Sequence, residues 1–311
     1  MEIEIIPNSY IVVFKESVFS PNGETLQGLG FSAGQSVQQV AERLIDDVTD
    51  RTSYTTTSST KNKRGHVYSS ALKGFSATLT PEAAKELKKK AKVHYVMVDG
   101  VTNLNQVSLN DIEKFNQDAS PSWGLDRIDQ ISLPFNNKYT YNNTGIGVHA
   151  YILDSGIRAS HQEFIGRIGN GYDVINKDSD PDDCLGQGTP VVGTLGGTRY
   201  GIAKNVTLHG VKVFGCTNTG FYSDILAGVD WIAKNHIKPA IVNLNITTRG
   251  PISPLDDAIF NSFHAGIVYI VSASNRHGAD ACSSSPAREP TAITLASIAA
   301  PHVAGVVTFY L

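Results

Sequence analysis

Asp154 closes the apolar run "GVHAYILD" and opens "DSGI", so it projects from a strand end, where a carboxylate either does chemistry or caps the following turn. Gln187 sits between two glycines in "DDCLGQGTPVVGTLGG" (182–197), a loop that enters small apolar residues as many helix starts do. A carboxamide has no titratable nitrogen near neutral pH, so Gln187 forms hydrogen bonds but moves no proton. Ser297 opens "SIAAPHVAGVVTFYL" (297–311), a small-residue helix with an internal proline. Helix propensity does not select that stretch, because an interior proline costs roughly 3 kcal/mol. Cys184, Cys216 and Cys282 are an odd count with no zinc spacing, which reads as one disulfide and a leftover thiol in an oxidising compartment.

These residues need elements to hold them, and 311 residues with 41% hydrophobic content provide one large or two ordinary domains. A net charge of −3 gives no footprint for nucleic acid, and the one basic run, "KELKKKAK" (85–92), reads as the solvated face of a helix. The longest apolar run, "GIVYIVSAS", falls far short of the roughly 18 residues of a membrane span. Neither partner is expected. The opening "MEIEIIPNSYIVVFK" moves from acids into strand-like alternation, which reads as an intracellular chain or one without its true amino terminus.

Residues 1 to 105 read as a separate unit. "SYIVVFK" (9–15) is a strand, "QSVQQVAERLIDDV" (35–48) an amphipathic helix, "HVYSSALKGFSATL" (66–79) a strand pair broken at Gly74, "TPEAAKELKKK" a capped helix and "VHYVMVDG" (93–100) a closing strand. The order is β-α-β-β-α-β, a ferredoxin-like α+β sandwich. Between its first helix and the strand pair, "RTSYTTTSSTKNKRG" (51–65) is a polar loop, and residues 106–122 read as a linker. From Trp123 to Leu311, the runs "GVHAYILD", "VTLHGVKV", "AIVNLNI" and "GIVYIVSAS" alternate with helical patterns, which predicts a parallel α/β sheet with chemistry at its carboxyl edge.

Together, "DSGI", "GQGTPVVGT" and "SIAAPHVAG" resemble the three motifs of the subtilisin superfamily of serine proteases, D-[ST]-G, H-G-T-H-V-A-G-T and G-T-S-M-A-[TA]-P-H-V-A-G. "SWGLDRIDQ", "YGIAKNVTLHGVKV" and "DACSSSPAREP" are similar to its proteinase K and aqualysin branch, and residues 1–105 resemble the inhibitory propeptide of that branch. The resemblance implies a three-layer subtilisin-like parallel sheet, here incomplete, acting on polypeptides outside the cell as a monomer made with its own propeptide. It implies Asp154 as the triad aspartate, Ser297 as the nucleophile, Asn275 as the oxyanion donor, and a Cys184–Cys216 disulfide. The propeptide tail "VDGVTNLN" would then occupy the cleft. No cofactor is required; calcium is possible from the family, with no site assigned and no metal ligand expected among these residues.

This sequence departs from the family in four places. Gln187 stands where the catalytic histidine belongs and Pro190 on the second, non-catalytic histidine. His161, His277 and His302 are not expected to replace the base, His302 being expected to lie buried. "AREPTAITLASIAAPHVAG" joins strand and nucleophile without the several dozen residues that the resemblance implies, so strand is expected to meet helix with almost no connection and Ser297 to stop short of the rim; two alignments of Ser297 stand. Ser-Leu-Gly-Gly is replaced within "NITTRG" (245–250), which puts Thr247 and Thr248 where a substrate backbone approaches and adds an Asn-x-Thr sequon at Asn245 to those at Asn142 and Asn205. The carboxyl-terminal region of relatives is also missing, so the peptidase unit reads as truncated. The expectation is a proteolytic fold with impaired catalysis, and the alternative is a non-catalytic pseudoprotease or an inhibitor or chaperone of an intact relative.

Overall fold

The consecutive β-branched residues Ile11, Val12 and Val13 carry "SYIVVFK" into β1 (Ile5–Phe14) in the computed structural model, which describes residues 4–19, 36–52, 62–104, 122–274, 278, 280–297 and 299–311. There follow α1 (Val37–Thr52), β2 (Lys63–Tyr68), β3 (Gly74–Thr78), α2 (Pro81–Lys88) and β4 (Val93–Asn103), with antiparallel strand order β2-β3-β1-β4. Gly74 begins β3 instead of breaking the strand pair, because the two backbones meet there: a Cβ would stand 2.3 Å from the Val12 carbonyl oxygen. Thr80 Oγ1 accepts from Ala83 N at 3.2 Å with Pro81 at the first helical position. Lys92, at the end of the basic run, is buried in the turn before β4 and not solvated.

The second unit contains α3 (Trp123–Ile128), β5 (His149–Asp154), β6 (Tyr172–Asp173), α4 (Gly188–Gly196), β7 (Thr207–Lys212), β8 (Thr219–Phe221), α5 (Tyr222–Asn235), β9 (Ala240–Leu244), α6 (Ser253–His264), β10 (Ile267–Ser272), β11 (Ile293–Leu295) and α7 (Ala299–Val307). Six of its strands run parallel in the order β11-β10-β9-β5-β7-β6. Leu195 of α4 and Ala304 of α7 cover one face with Ile152, Ile241 and Ile270, while Val229 of α5 and Ile259 of α6 cover the other with Leu153 and Val242. Three layers result, and burial on both faces explains the unbroken apolar runs.

The junction before α7 is accommodated. β11 ends at Leu295 and α7 begins at Ala299, a spacing within the usual loop length of about 2 to 6 residues, and Ala296 O accepts from Ala299 N and Ala300 N at 2.9 and 3.0 Å. Pro301 falls in the first turn of α7, where its missing N–H has no helical acceptor to leave empty, so the stretch is a helix start and carries no interior penalty.

The units share a sheet edge. β8 pairs antiparallel with β4 through Val101↔Phe221, Thr102↔Gly220 and Asn103↔Thr219. Beside it, the Asp230 carboxylate on α5 accepts from the backbone N–H of Ser69, Ser70 and Ala71 at 3.0, 2.6 and 2.8 Å, and His66 Nε2 lies 2.7 Å from Asp224 Oδ1. Asp230→Ala should weaken the hold between units by roughly 2 kcal/mol and speed amide exchange at residues 69–71. Unchanged exchange there would remove Asp230 from the interface argument.

A histidine pair closes the opposite end of the sheet. His149 Nδ1 and His209 Nε2 are 2.8 Å apart, His209 Nδ1 lies 2.9 Å from the Asn170 carbonyl, and burial pushes the His209 imidazole down to about 4. An unfolded histidine titrates near about 6.5, so between these values the unfolded chain takes a proton that the folded chain refuses. Stability should therefore fall as pH drops from about 6.5 towards 4, by up to roughly 3 kcal/mol. Urea unfolding at pH 7 and 4.5 should show a shallower pH dependence for His209→Gln than for the parent chain; equal slopes would refute the assignment.

Candidate active site

The carboxyl edge of the sheet gathers the candidates. Asp154 ends β5 and Ser272 ends β10, with β9 between them, so two strand spacings separate their backbones, roughly 9 to 10 Å. Asp154 is buried; Oδ1 accepts from Ser155 N at 2.7 Å, and Oδ2 is without a hydrogen-bond partner among the described residues. Burial first, and the Asp183 charge after it, raise its carboxyl to about 7 against the opposing Ser155 N–H bond. At neutral pH this group is as much acid as carboxylate.

The loop that delivers Gln187 is held by a different aspartate. Asp183 accepts from Ser155 Oγ at 2.7 Å, Gly186 N at 2.7 Å, Thr189 N at 2.9 Å and Thr189 Oγ1 at 2.6 Å. Burial pushes its carboxyl up, but these bonds outweigh burial and hold it below the ordinary carboxylate value. The flanking glycines have separate reasons. Gly186 has φ +84°, and a Cβ on Gly188 would stand 2.1 Å from the Gly156 carbonyl. Gln187 is thereby fixed, half-buried, as the residue before α4, and its side chain does not cap that helix. Sequence reasoning passed over Asp183; its place four residues ahead of position 187 was the available signal.

Ser297 reaches the rim, yet it is buried at 1% exposure with Oγ 2.6 Å from Ser272 Oγ. The structure thus brings Asp154 and Ser297 to one edge while the hydroxyl bonds to a neighbouring serine. His161 is engaged elsewhere, its Nδ1 accepting from Glu163 N at 3.3 Å. His302 is half-buried and not buried as expected, because its ring lies over Gly124, where a Cβ would meet Nε2 at 2.5 Å. Asn275 and His277 lie outside the described residues.

The first unit's tail runs along β8 and the 246–247 segment. Beyond the β4–β8 pairing, Leu104 bridges Ile246, Leu104 N donates to Asn218 Oδ1 at 3.1 Å, and Thr102 Oγ1 donates to Thr247 O at 2.9 Å. Thr248 is fully buried; its Oγ1 lies 2.5 Å from Gly250 O and 2.8 Å from Ser285 O and accepts from Ser285 N at 3.0 Å. Thr247 Oγ1 donates to Ser272 O at 3.2 Å. Both threonines fill space with side chain that glycines would leave open. Asn245 is buried, whereas the sequon asparagines Asn142 and Asn205 are exposed.

Cys184 and Cys216 form a disulfide with Cα atoms 5.1 Å apart, and Cys282 is free and exposed. Among the described residues, no group of three or more His, Cys, Asp or Glu could hold a metal ion, and no helix is long and apolar enough to cross a membrane.

Comparison with known proteins matches residues 145–302 to the subtilase family and residues 9–105 to peptidase inhibitor I9. The chain is 40% identical over 296 residues to the extracellular serine proteinase of Thermus sp. (strain Rt41A), covering 94% of this chain and 66% of that protein. It is 41% identical over 231 residues to the alkaline serine exoprotease A of Vibrio alginolyticus, covering 74% of this chain and 42% of that protein. It therefore spans less than two thirds of the length of these relatives. Among solved structures, a cold adapted subtilisin-like serine proteinase is 37% identical with TM-score 0.59, covering 62% of this chain and 85% of that one. Fervidolysin from Fervidobacterium pennivorans, a keratinolytic enzyme related to subtilisin, shares the fold with TM-score 0.59 at 14% identity, over 86% of this chain and 40% of that one. The chain belongs to the subtilase family and carries a peptidase inhibitor I9 unit ahead of its subtilase unit.

Proposed function

We propose that this chain is a subtilisin-like serine endopeptidase homologue with impaired hydrolysis, in which residues 1–105 stay docked as a propeptide, 106–122 link, and 123–311 belong to the peptidase unit. The observation that carries this reading is the 2.6 Å contact between Ser297 and Ser272, which buries the candidate nucleophile while Gln187 occupies the base position. A hydroxyl attacks a peptide carbonyl only when a base takes its proton. In subtilisin itself, loss of the histidine alone lowers kcat about a millionfold.

On this reading the ligand of the cleft is extended polypeptide, first of all the chain's own tail at Val101–Leu104. Secretion follows the relatives' extracellular character. No cofactor, nucleic acid or membrane is required, and the chain acts as a monomer. A second reading, an inhibitor or chaperone of an intact relative, is favoured by the separate core of the first unit, built on Val12, Phe75, Leu79 and Leu87.

Purified from a host deficient in proteases, the chain should keep its intact mass, and a fluorophosphonate probe should leave Ser297 unlabelled. Two fragments meeting between residues 104 and 120, or a probe adduct on Ser297, would overturn the impaired reading. Gln187→His alone should leave self-cleavage undetected, because it does not expose Ser297. Cleavage by that variant would show that the base was the one missing part.

A further inference from the structure

We propose that the Cys184–Cys216 bond is a thiol-exchange site, which takes an incoming thiolate at Cys216 Sγ and releases Cys184 as a thiolate beside the Lys212 ammonium. Both cysteines are exposed, so a soluble thiol can reach the bond. Lys212 makes the two sulfurs unequal. Its side chain is buried at the end of β7, and Nζ donates to the Asp182 carbonyl at 2.7 Å and to Cys184 Sγ at 3.5 Å, with Asp173 Oδ2 at 3.6 Å. The ammonium is thus fixed against one sulfur by two other oxygen partners. A neighbouring cation stabilises a thiolate, and exchange is faster when the departing thiol is the more acidic one.

The step balances as follows. A thiolate RS⁻ forms a bond to Cys216 Sγ, the Cys184–Cys216 bond breaks, and its electron pair stays on Cys184 Sγ, which Lys212 then holds as an ion pair. With a monothiol such as glutathione the product is an RS–S adduct on Cys216. With a dithiol, the second thiol displaces Cys216, so the reductant ends as its own disulfide and the chain gains both thiols.

The consequence is local to the candidate site. The disulfide ties the start of the 184–186 segment to the residues after β7, while Asp183 independently holds Gly186 and Thr189. Opening the bond removes the outer tether and leaves the inner one. The Gln187 segment is therefore redox-sensitive on one side only.

The full chain carrying Cys282→Ser, which removes the exposed free thiol, would be incubated with millimolar glutathione, quenched by alkylation and mapped by peptide mass. Glutathione should fall on Cys216 and the alkyl group on Cys184 in a ratio of about ten to one. Lys212→Gln should slow opening about tenfold and erase the preference, and Lys212→Arg should retain both. An adduct shared equally between the two sulfurs, one placed on Cys184, or a native bond that resists glutathione while the urea-unfolded chain reacts, would each overturn the proposal. Should Lys212→Gln fail to fold, the distribution of the adduct on the Lys212 chain decides alone.

Discussion

Antiparallel pairing of β4 with β8 is the contact on which the arrangement of this chain depends. A strand edge with unpaired N–H and C=O groups seeks a partner, and β8 finds one in the last strand of the first unit, turning four strands into five. Carboxylates fix the register. Asp99 on β4 accepts from Ser223 N at 3.2 Å and Gly100 N at 2.9 Å, while Asp230 gathers three amides of the loop before β3. A slip of one residue would turn every side chain of the tail to the other face. Thr102 would then lose Thr247, and Leu104 would leave Ile246. The placement of residues 102–104 is thus set by contacts on both sides of the β4–β8 pairing.

At the rim, backbone shape and side-chain chemistry have separate determinants. In a working triad the aspartate orients and balances an imidazole that becomes charged. Here Asp154 faces no such partner among the described residues, and burial leaves its carboxyl near half-protonation at neutral pH. The loop around position 187 nevertheless keeps its shape, because Asp183, Gly186 and Gly188 define it without using the side chain at 187. A glutamine is tolerated there for that reason. The side chain at 187 therefore bears on what that position can do to a proton and little on how the backbone runs.

Much of this was legible in the residues. Apolar runs gave the parallel strands because burial on both faces leaves no alternation to confuse the reading, and Thr80 with Pro81 marked the start of α2. Pro301 misled, since its cost depends on depth within the helix, which a pattern alone does not reveal. The connection between β11 and α7 likewise reads as too short in the sequence, because a pattern does not reveal that the strand ends as early as Leu295. At the site, types and positions were readable while partners were not. That Ser297 would bond to Ser272 depends on β10 and β11 lying side by side, a long-range pairing with no local signature.

The packing of α4 against α7 holds the face of the sheet on which Asp154 and Asn243 lie. Small residues bring these helices close to their surroundings: a Cβ on Gly305 would stand 2.6 Å from Ile202 Cβ and 3.1 Å from Leu195 O. Beneath that contact lies an apolar layer of Ile152, Ile241 and Ile270. Polar groups lie on the same face. Asn243 lies level with Ile152 and Ile270, and two residues further along their strands Asn245 and Asp154 point the same way. Both polar atoms of Asn243, Asn245 Oδ1 and Asp154 Oδ2 are buried without hydrogen-bond partners among the described residues. Each such group costs about 1 to 3 kcal/mol, and they collect at the carboxyl edge of the sheet, beside the apolar layer that α4 and α7 cover. Apolar packing and these unpaired polar groups thus share one face, and the packing must outweigh their cost for the chain to hold the subtilase fold.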